Sequence, residues 1–144
     1  MRRVFDIKIL GAYLCAREAA RRLAKSRGGA GGSIVLISSA AARIGGAGEY
    51  VDYAGSKGAI DTLTLGLSKE LGPEGVRVNA IRPCLIETDI HASGGAPDRA
   101  WRLGQTAPLG RPGTADEVGE AIVWLLSDAA SYTTGAILDI TGGR

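Results

Sequence analysis

One histidine, two cysteines and a 5% aromatic share leave this chain with few of the groups that build metal centres or disulfide frameworks. Cys15 and Cys84 lie far apart, one in a helical pattern and one in a loop, with no C-x-x-C or other metal-ligand spacing, so no metal is expected and a reduced compartment, the cytoplasm, is the simpler reading. No apolar run approaches the roughly 20 residues of a membrane span. The opening Met1-Arg-Arg before apolar Ile9 to Ala16 faintly mimics a signal peptide, but Asp6 and Lys8 interrupt the approach and Arg17-Glu18 follow directly. Charge of neither sign dominates. The 17 basic and 15 acidic residues are interspersed, net +2, with no basic stripe, which argues against a nucleic-acid partner. Two catalytic signatures are also missing. No G-x-S-x-G elbow is present, and the glycine clusters at 28–32 and 45–48 do not form a G-x-G-x-x-G turn after a strand.

What is present is a 45% hydrophobic chain of 144 residues, sized for one globular domain over 1–144 with a real core. Apolar or small residues recur at Phe5, Ile9, Ala12, Ala16, Ala19 and Leu23, with Arg17, Arg21, Arg22 and Lys25 on the other side. This predicts one long amphipathic helix over about 4–25. The Gly-rich segment 26–32 closes it. Residues 33–38 read as a parallel strand covered on both faces. A second helix is expected over 51–71 with Ile60, Leu63, Leu67 and Leu71 facing the core, stopped by Gly72-Pro-Glu-Gly75, and a second buried strand over 76–81. Thr114-Ala-Asp-Glu117 is a capping-box pattern that starts a helix to about 127, with Val118, Ile122, Leu125 and Leu126 on its apolar face. A last strand follows over 136–140.

The chemistry concentrates at Tyr53-Ala-Gly-Ser-Lys57. Four residues apart on a helix, the phenol and the ammonium share one face. A tyrosine hydroxyl has an unperturbed pKa of about 10, and an adjacent cation moves it down by stabilising the phenolate. Upstream, Ile34-Val-Leu-Ile-Ser-Ser39 ends an apolar strand in two hydroxyls able to hold a substrate oxygen beside that phenol. Ser39, Tyr53 and Lys57 form a candidate acid/base site.

A strand ending in Ser-Ser, a Gly-rich loop, Tyr-x-x-x-Lys on a helix, then strand Val76 to Ile81 running into Arg82-Pro83: this succession resembles the C-terminal half of the short-chain dehydrogenase/reductase family, over about 4–143. The resemblance implies an α/β, partial Rossmann-type (doubly wound) fold with three parallel strands and flanking helices. It implies NAD or NADP as cofactor and interconversion of a secondary alcohol and a ketone, with Ser39, not Ser38, as the catalytic serine. Tyr53 and Lys57, with Pro83, Ile86 and Thr88 of the loop after the second strand, would hold the nicotinamide end. The segment 89–108, with Trp101, matches the family's mobile substrate cover, where His91 reads mainly as a surface residue.

Several positions depart from the family pattern. Lys8 stands where relatives place an asparagine that supports a proton-relay water. Cys84 replaces the glycine of Pro-Gly, where a side chain could crowd or stiffen the loop, and Thr141-Gly-Gly143 replaces Asp-Gly-Gly. The family's first strand, glycine-rich turn and Asn-Ala-Gly strand end have no counterpart, and on the order of a hundred residues would be expected ahead of Met1. The three strands would then lie side by side at one end of a larger sheet with an exposed edge. Small-residue faces on the first two helices predict a homodimer or homotetramer. Two other readings remain open: a hydrolase whose serine is activated by lysine or tyrosinate, and a non-catalytic dimerising remnant.

Overall fold

The computed structural model describes residues 1–89, 95–96 and 98–144. Helix begins at Arg2, two residues earlier than the apolar period predicts. The Phe5 N–H reaches the Met1 carbonyl, and the chain's terminal ammonium lies 3.4 Å from Asp52, which anchors the first turn. Helix α1 (Arg2–Phe5) runs through a wide π turn, Asp6–Leu10, into α2 (Gly11–Leu23). There it stops, because Ala24 turns extended and a 3-10 turn, Lys25–Arg27, ends on Gly28 at φ 85, a conformation suited to glycine.

Strand β1 (Gly32–Ile37) pairs in parallel with β2 (Val76–Pro83), from Gly32 opposite Val76 to Ile37 opposite Ile81. Strand β5 (Ile137–Ile140) lies parallel on the other side of β2, giving the order β1-β2-β5. Three parallel strands flanked by helices on both faces make this a Rossmann-type α/β fold. Helices α2 and α4 (Val51–Leu71) cover the face that carries Ile34, Leu36, Val76 and Val78. The opposite face carries Ser33 and Arg77, whose side chains donate to carbonyls at the end of α6 (Ala115–Leu126). Val76 and Val78 are fully buried, each contributing roughly 1.5–3 kcal/mol by the transfer of its side chain from water.

The central strand is enclosed as a parallel strand should be, but β1 is not. It pairs on one side only, its four middle residues are half-buried, and Gly32 and Ile37 at its ends are exposed. Helix α4 keeps its expected bounds, while its buried stripe differs from the apolar one expected. Ile60 and Leu71 are buried and Leu63 and Leu67 only half-buried; Ser56, Lys57, Asp61, Thr64 and Ser68 share the interior. The Thr64 and Ser68 hydroxyls donate to the carbonyls of Ile60 and Leu65, which lets them be buried without an unsatisfied donor.

Beyond β2 a pair too short to foresee forms between β3 (Ile86–Glu87) and β4 (Gly113–Thr114). Thr114 then caps α6 with the expected reciprocal bonds, Glu117 N–H to Thr114 Oγ1 at 3.2 Å and Thr114 N–H to Glu117 Oε2 at 2.9 Å. Leu125 is buried against the sheet. Leu126 is exposed instead of joining it, since one further residue rotates the side chain about a quarter turn away. Short helices α3 (Ala41–Ile44) and α5 (Arg99–Gly104) complete the description. Among the described residues no helix is long and apolar enough to cross a membrane.

Candidate active site

The carboxyl ends of β1 and β2, where ligands bind in open α/β sheets, open onto a cleft of about 870 Å³. Ser39, Tyr53, Pro83, Ile86 and Thr88 line it together, though β1, α4 and the loop after β2 deliver them from separate parts of the sequence. The two serines at the end of β1 have different fates. Ser38 is buried and its hydroxyl donates to the Lys57 carbonyl at 3.2 Å, a structural bond to α4. Ser39 Oγ accepts the Ala41 N–H at 3.2 Å on the cleft wall, which leaves its own proton to donate elsewhere.

Lys57 is not on the cleft wall but behind it. Its Nζ sits 5.6 Å from the centroid of the Tyr53 ring and donates to the Ile37 carbonyl at 2.7 Å. Only 8% of the residue is exposed. Burial lowers its pKa from 10.5 to about 8, helped by the Lys8 ammonium and opposed by the Asp61 carboxylate. Lys8 itself is exposed, in the π turn that packs against α4.

The loop after β2 turns through a strained residue. Leu85 has φ 53, the one non-glycine residue with positive φ among the described residues, at a cost of about 1 kcal/mol or more. Next to it, half-buried Cys84 lines the cleft, and its N–H donates to the Ile140 carbonyl at 3.0 Å. Burial pushes the Cys84 thiol pKa up, opposed by the Arg144 and Arg99 guanidiniums. A protonated thiol here is a small filler, not an ionised nucleophile. His91 lies outside the described residues, as does part of the expected substrate cover. Within the portion described, α5 reaches back across the cleft through a bidentate pair from Arg99 to Glu49, one arm at 3.1 Å.

Two features went unread in the sequence. One is the Arg99–Glu49 pair, joining residues with no local pattern between them. The other is a run of charges behind α4. Arg82 Nε and Nη2 donate to Asp61 Oδ2 at 3.1 and 2.8 Å, Arg82 Nη1 lies 3.6 Å from Asp139 Oδ1, and Arg43 pairs with Asp139. Only the i,i+4 spacing of Lys57 and Asp61 was available as a signal.

Comparison with known proteins identifies the family of the fold. The family model described as Enoyl-(Acyl carrier protein) reductase matches residues 1–144. "Uncharacterized oxidoreductase YgfF" of Escherichia coli (strain K12) is 56% identical over 142 residues, 99% of this chain and 58% of that protein. A short-chain type dehydrogenase/reductase from Mycobacterium ulcerans superposes with TM-score 0.85 at 38% identity, covering 99% of this chain and 50% of that one. Acetoin dehydrogenase YohF from Salmonella typhimurium gives 0.82 at 34% identity, with 99% and 54% covered. The chain belongs to the short-chain dehydrogenase/reductase family of oxidoreductases. It spans about half the length of the relatives it matches.

Proposed function

We propose that these residues form the acid/base half of an NAD(P)-dependent oxidoreductase that interconverts a secondary alcohol and its ketone. The observation that carries the reading is the Tyr53 phenol on the cleft wall with the buried Lys57 ammonium behind its ring, in a cleft that also holds the Ser39 hydroxyl. In the reducing direction the Ser39 proton holds the carbonyl oxygen and Tyr53 gives its proton to that oxygen as the alkoxide develops. Lys57 stabilises the charge left on the phenol.

The residues present suit one end of the cofactor. Tyr53, Lys57, Pro83, Ile86 and Thr88 offer hydroxyl, ammonium and backbone groups at the strand ends, where a nicotinamide and its ribose would sit; when bound, the nicotinamide supplies or takes the hydride. No glycine-rich turn from strand to helix stands among the described residues to hold a pyrophosphate. On this reading the adenosine half is held by protein outside these 144 residues, where the choice between NAD and NADP also falls.

A serine hydrolase fits less well. Among the described residues no side chain that could act as a base is hydrogen-bonded to the Ser39 hydroxyl, and the Lys57 Nζ bond runs to the Ile37 carbonyl. Tyr53→Phe tests the assignment. In a chain completed by the N-terminal part of the Escherichia coli relative, it should lower carbonyl reduction by about 10²-fold or more with the fold intact. Unchanged turnover removes Tyr53 from the role.

A further inference from the structure

The cleft that holds the Ser39 and Tyr53 hydroxyls also has an apolar side. Val4 of α1, Ile44 at the end of α3, Ala47 of the next loop, Tyr50 ahead of α4, Leu85 after β2 and Leu103 of α5 line it. Separate stretches of chain deliver them, so no single amphipathic period accounts for the patch. Ile44 and Tyr50 are 57% and 54% exposed, and the fold itself leaves more than half of each uncovered. A single exposed apolar residue is ordinary. A concave group of them beside two hydroxyls has the form of a ligand site.

The charged side chains of the cleft leave little for a charged ligand. Glu49 and Asp52 offset Arg99 and Arg144. Arg99 holds both carboxylate oxygens of Glu49, Nη1 to Oε1 at 3.1 Å and Nη2 to Oε2, so this pair is satisfied within itself. Asp52 Oδ1 accepts the Tyr53 N–H at 2.9 Å in the first turn of α4, where a helix favours a carboxylate. Arg144 forms no ion pair among the described residues, but it is exposed and stands where the cleft meets a second cavity of about 690 Å³. The charges of that cavity are also paired, Arg43 with Asp139 and Arg111 with Glu117. Hydroxyl groups would fare no better than charges. Ile44, Ala47, Leu85 and Leu103 have no polar side-chain atom to meet them, and a hydroxyl moved from water to such a wall loses its hydrogen bonds.

We propose that this site takes a neutral, largely apolar ketone or its secondary alcohol, whose hydrocarbon body lies against Ile44, Tyr50 and Leu103 while its oxygen meets Ser39 and Tyr53. Ile44 and Tyr50 are then specificity-determining residues. They disfavour polyols and anions by leaving the polar groups of such molecules without partners. The inference rests on the reading that the substrate oxygen lies beside Ser39 and Tyr53.

The test is binding to the 144-residue chain, followed by saturation-transfer NMR with three small ketones. These are benzylacetone, its analogue with a carboxylate in place of the methyl group, and dihydroxyacetone. Benzylacetone should bind about tenfold more tightly than either of the others. Ile44→Asn and Tyr50→Asn should each weaken it by about three- to tenfold and leave dihydroxyacetone unchanged. Both positions are exposed, and asparagine suits the residue before a helix, so circular dichroism should show both variants folded. If one of them unfolds, the other decides alone. The proposal is overturned if the carboxylate analogue or dihydroxyacetone binds as tightly as benzylacetone, if benzylacetone does not bind, or if folded variants bind it as the parent does. Binding needs no turnover, so it is independent of the measurement that judges the oxidoreductase reading. An inactive Tyr53→Phe with the carboxylate analogue bound tightest sinks only the substrate class. An active Tyr53→Phe with benzylacetone bound tightest sinks only the catalytic assignment.

Discussion

Lys57 is asked to be buried and to be charged, and the first demand works against the second. The folded chain gives up the Lys57 proton near pH 8, whereas an unfolded chain keeps it to about 10.5. Between those values the unfolded state binds more protons, so this residue's contribution makes the fold more stable as pH rises through that window. Melting temperatures from pH 8 to 10.5 should therefore climb for the parent relative to Lys57→Met, which has no proton to lose. A constant difference across the window would mean that Lys57 is not desolvated as described. Tyr53, Lys57 and Ser39 were legible in the sequence because two of them share a helical face and the third ends an apolar run. Their surroundings were not. Asp61, Arg82, Asp139 and Arg43 meet across 21 residues or more of chain, a separation no local period encodes.

At the scale of elements, α4 was read to its ends because Gly72-Pro-Glu-Gly75 stops it and the capping residues of α6 announce themselves. The polar half of the α4 interior escaped the same reading, since apolar spacing finds the residues that prefer burial and not those held there by Arg82 or by their own helix carbonyls. The outer surface of α4 leads to a proposal about assembly. A Cβ added at Gly55, Gly58 or Gly66 meets nothing within 4 Å, and Ile7, Leu10, Tyr13 and Leu14 on the neighbouring turn and α2 are exposed. We propose that these helices pair with their symmetry mates in an isologous contact. Gly58→Leu should split the assembly to monomers in light scattering at micromolar concentration. Helix stability within each protomer should not fall, because leucine favours a helix over glycine by about 0.8 kcal/mol. A monomeric parent, or an oligomer unaffected by the leucine, contradicts the proposed contact.

At the scale of the whole molecule, the sheet has two outer strands, β1 and β5, each with a backbone edge that pairs with no further strand among the described residues. The glycine-rich turn that such folds use for a pyrophosphate is likewise missing from the described elements, as the glycine spacing of the sequence had indicated. Both fit a chain about half as long as its relatives. On the proposed function, these 144 residues hold the chemical end of a nicotinamide site and not its adenosine end. Calorimetric titration of the chain, its mass verified, with NADH, NADPH and reduced nicotinamide mononucleotide tests this most directly. Weak binding is expected, with the dinucleotides no tighter than the mononucleotide, because on the proposed function Tyr53, Lys57, Ile86 and Thr88 would meet only the part they share. Tight one-to-one binding of NADH or NADPH that the mononucleotide does not match would contradict it.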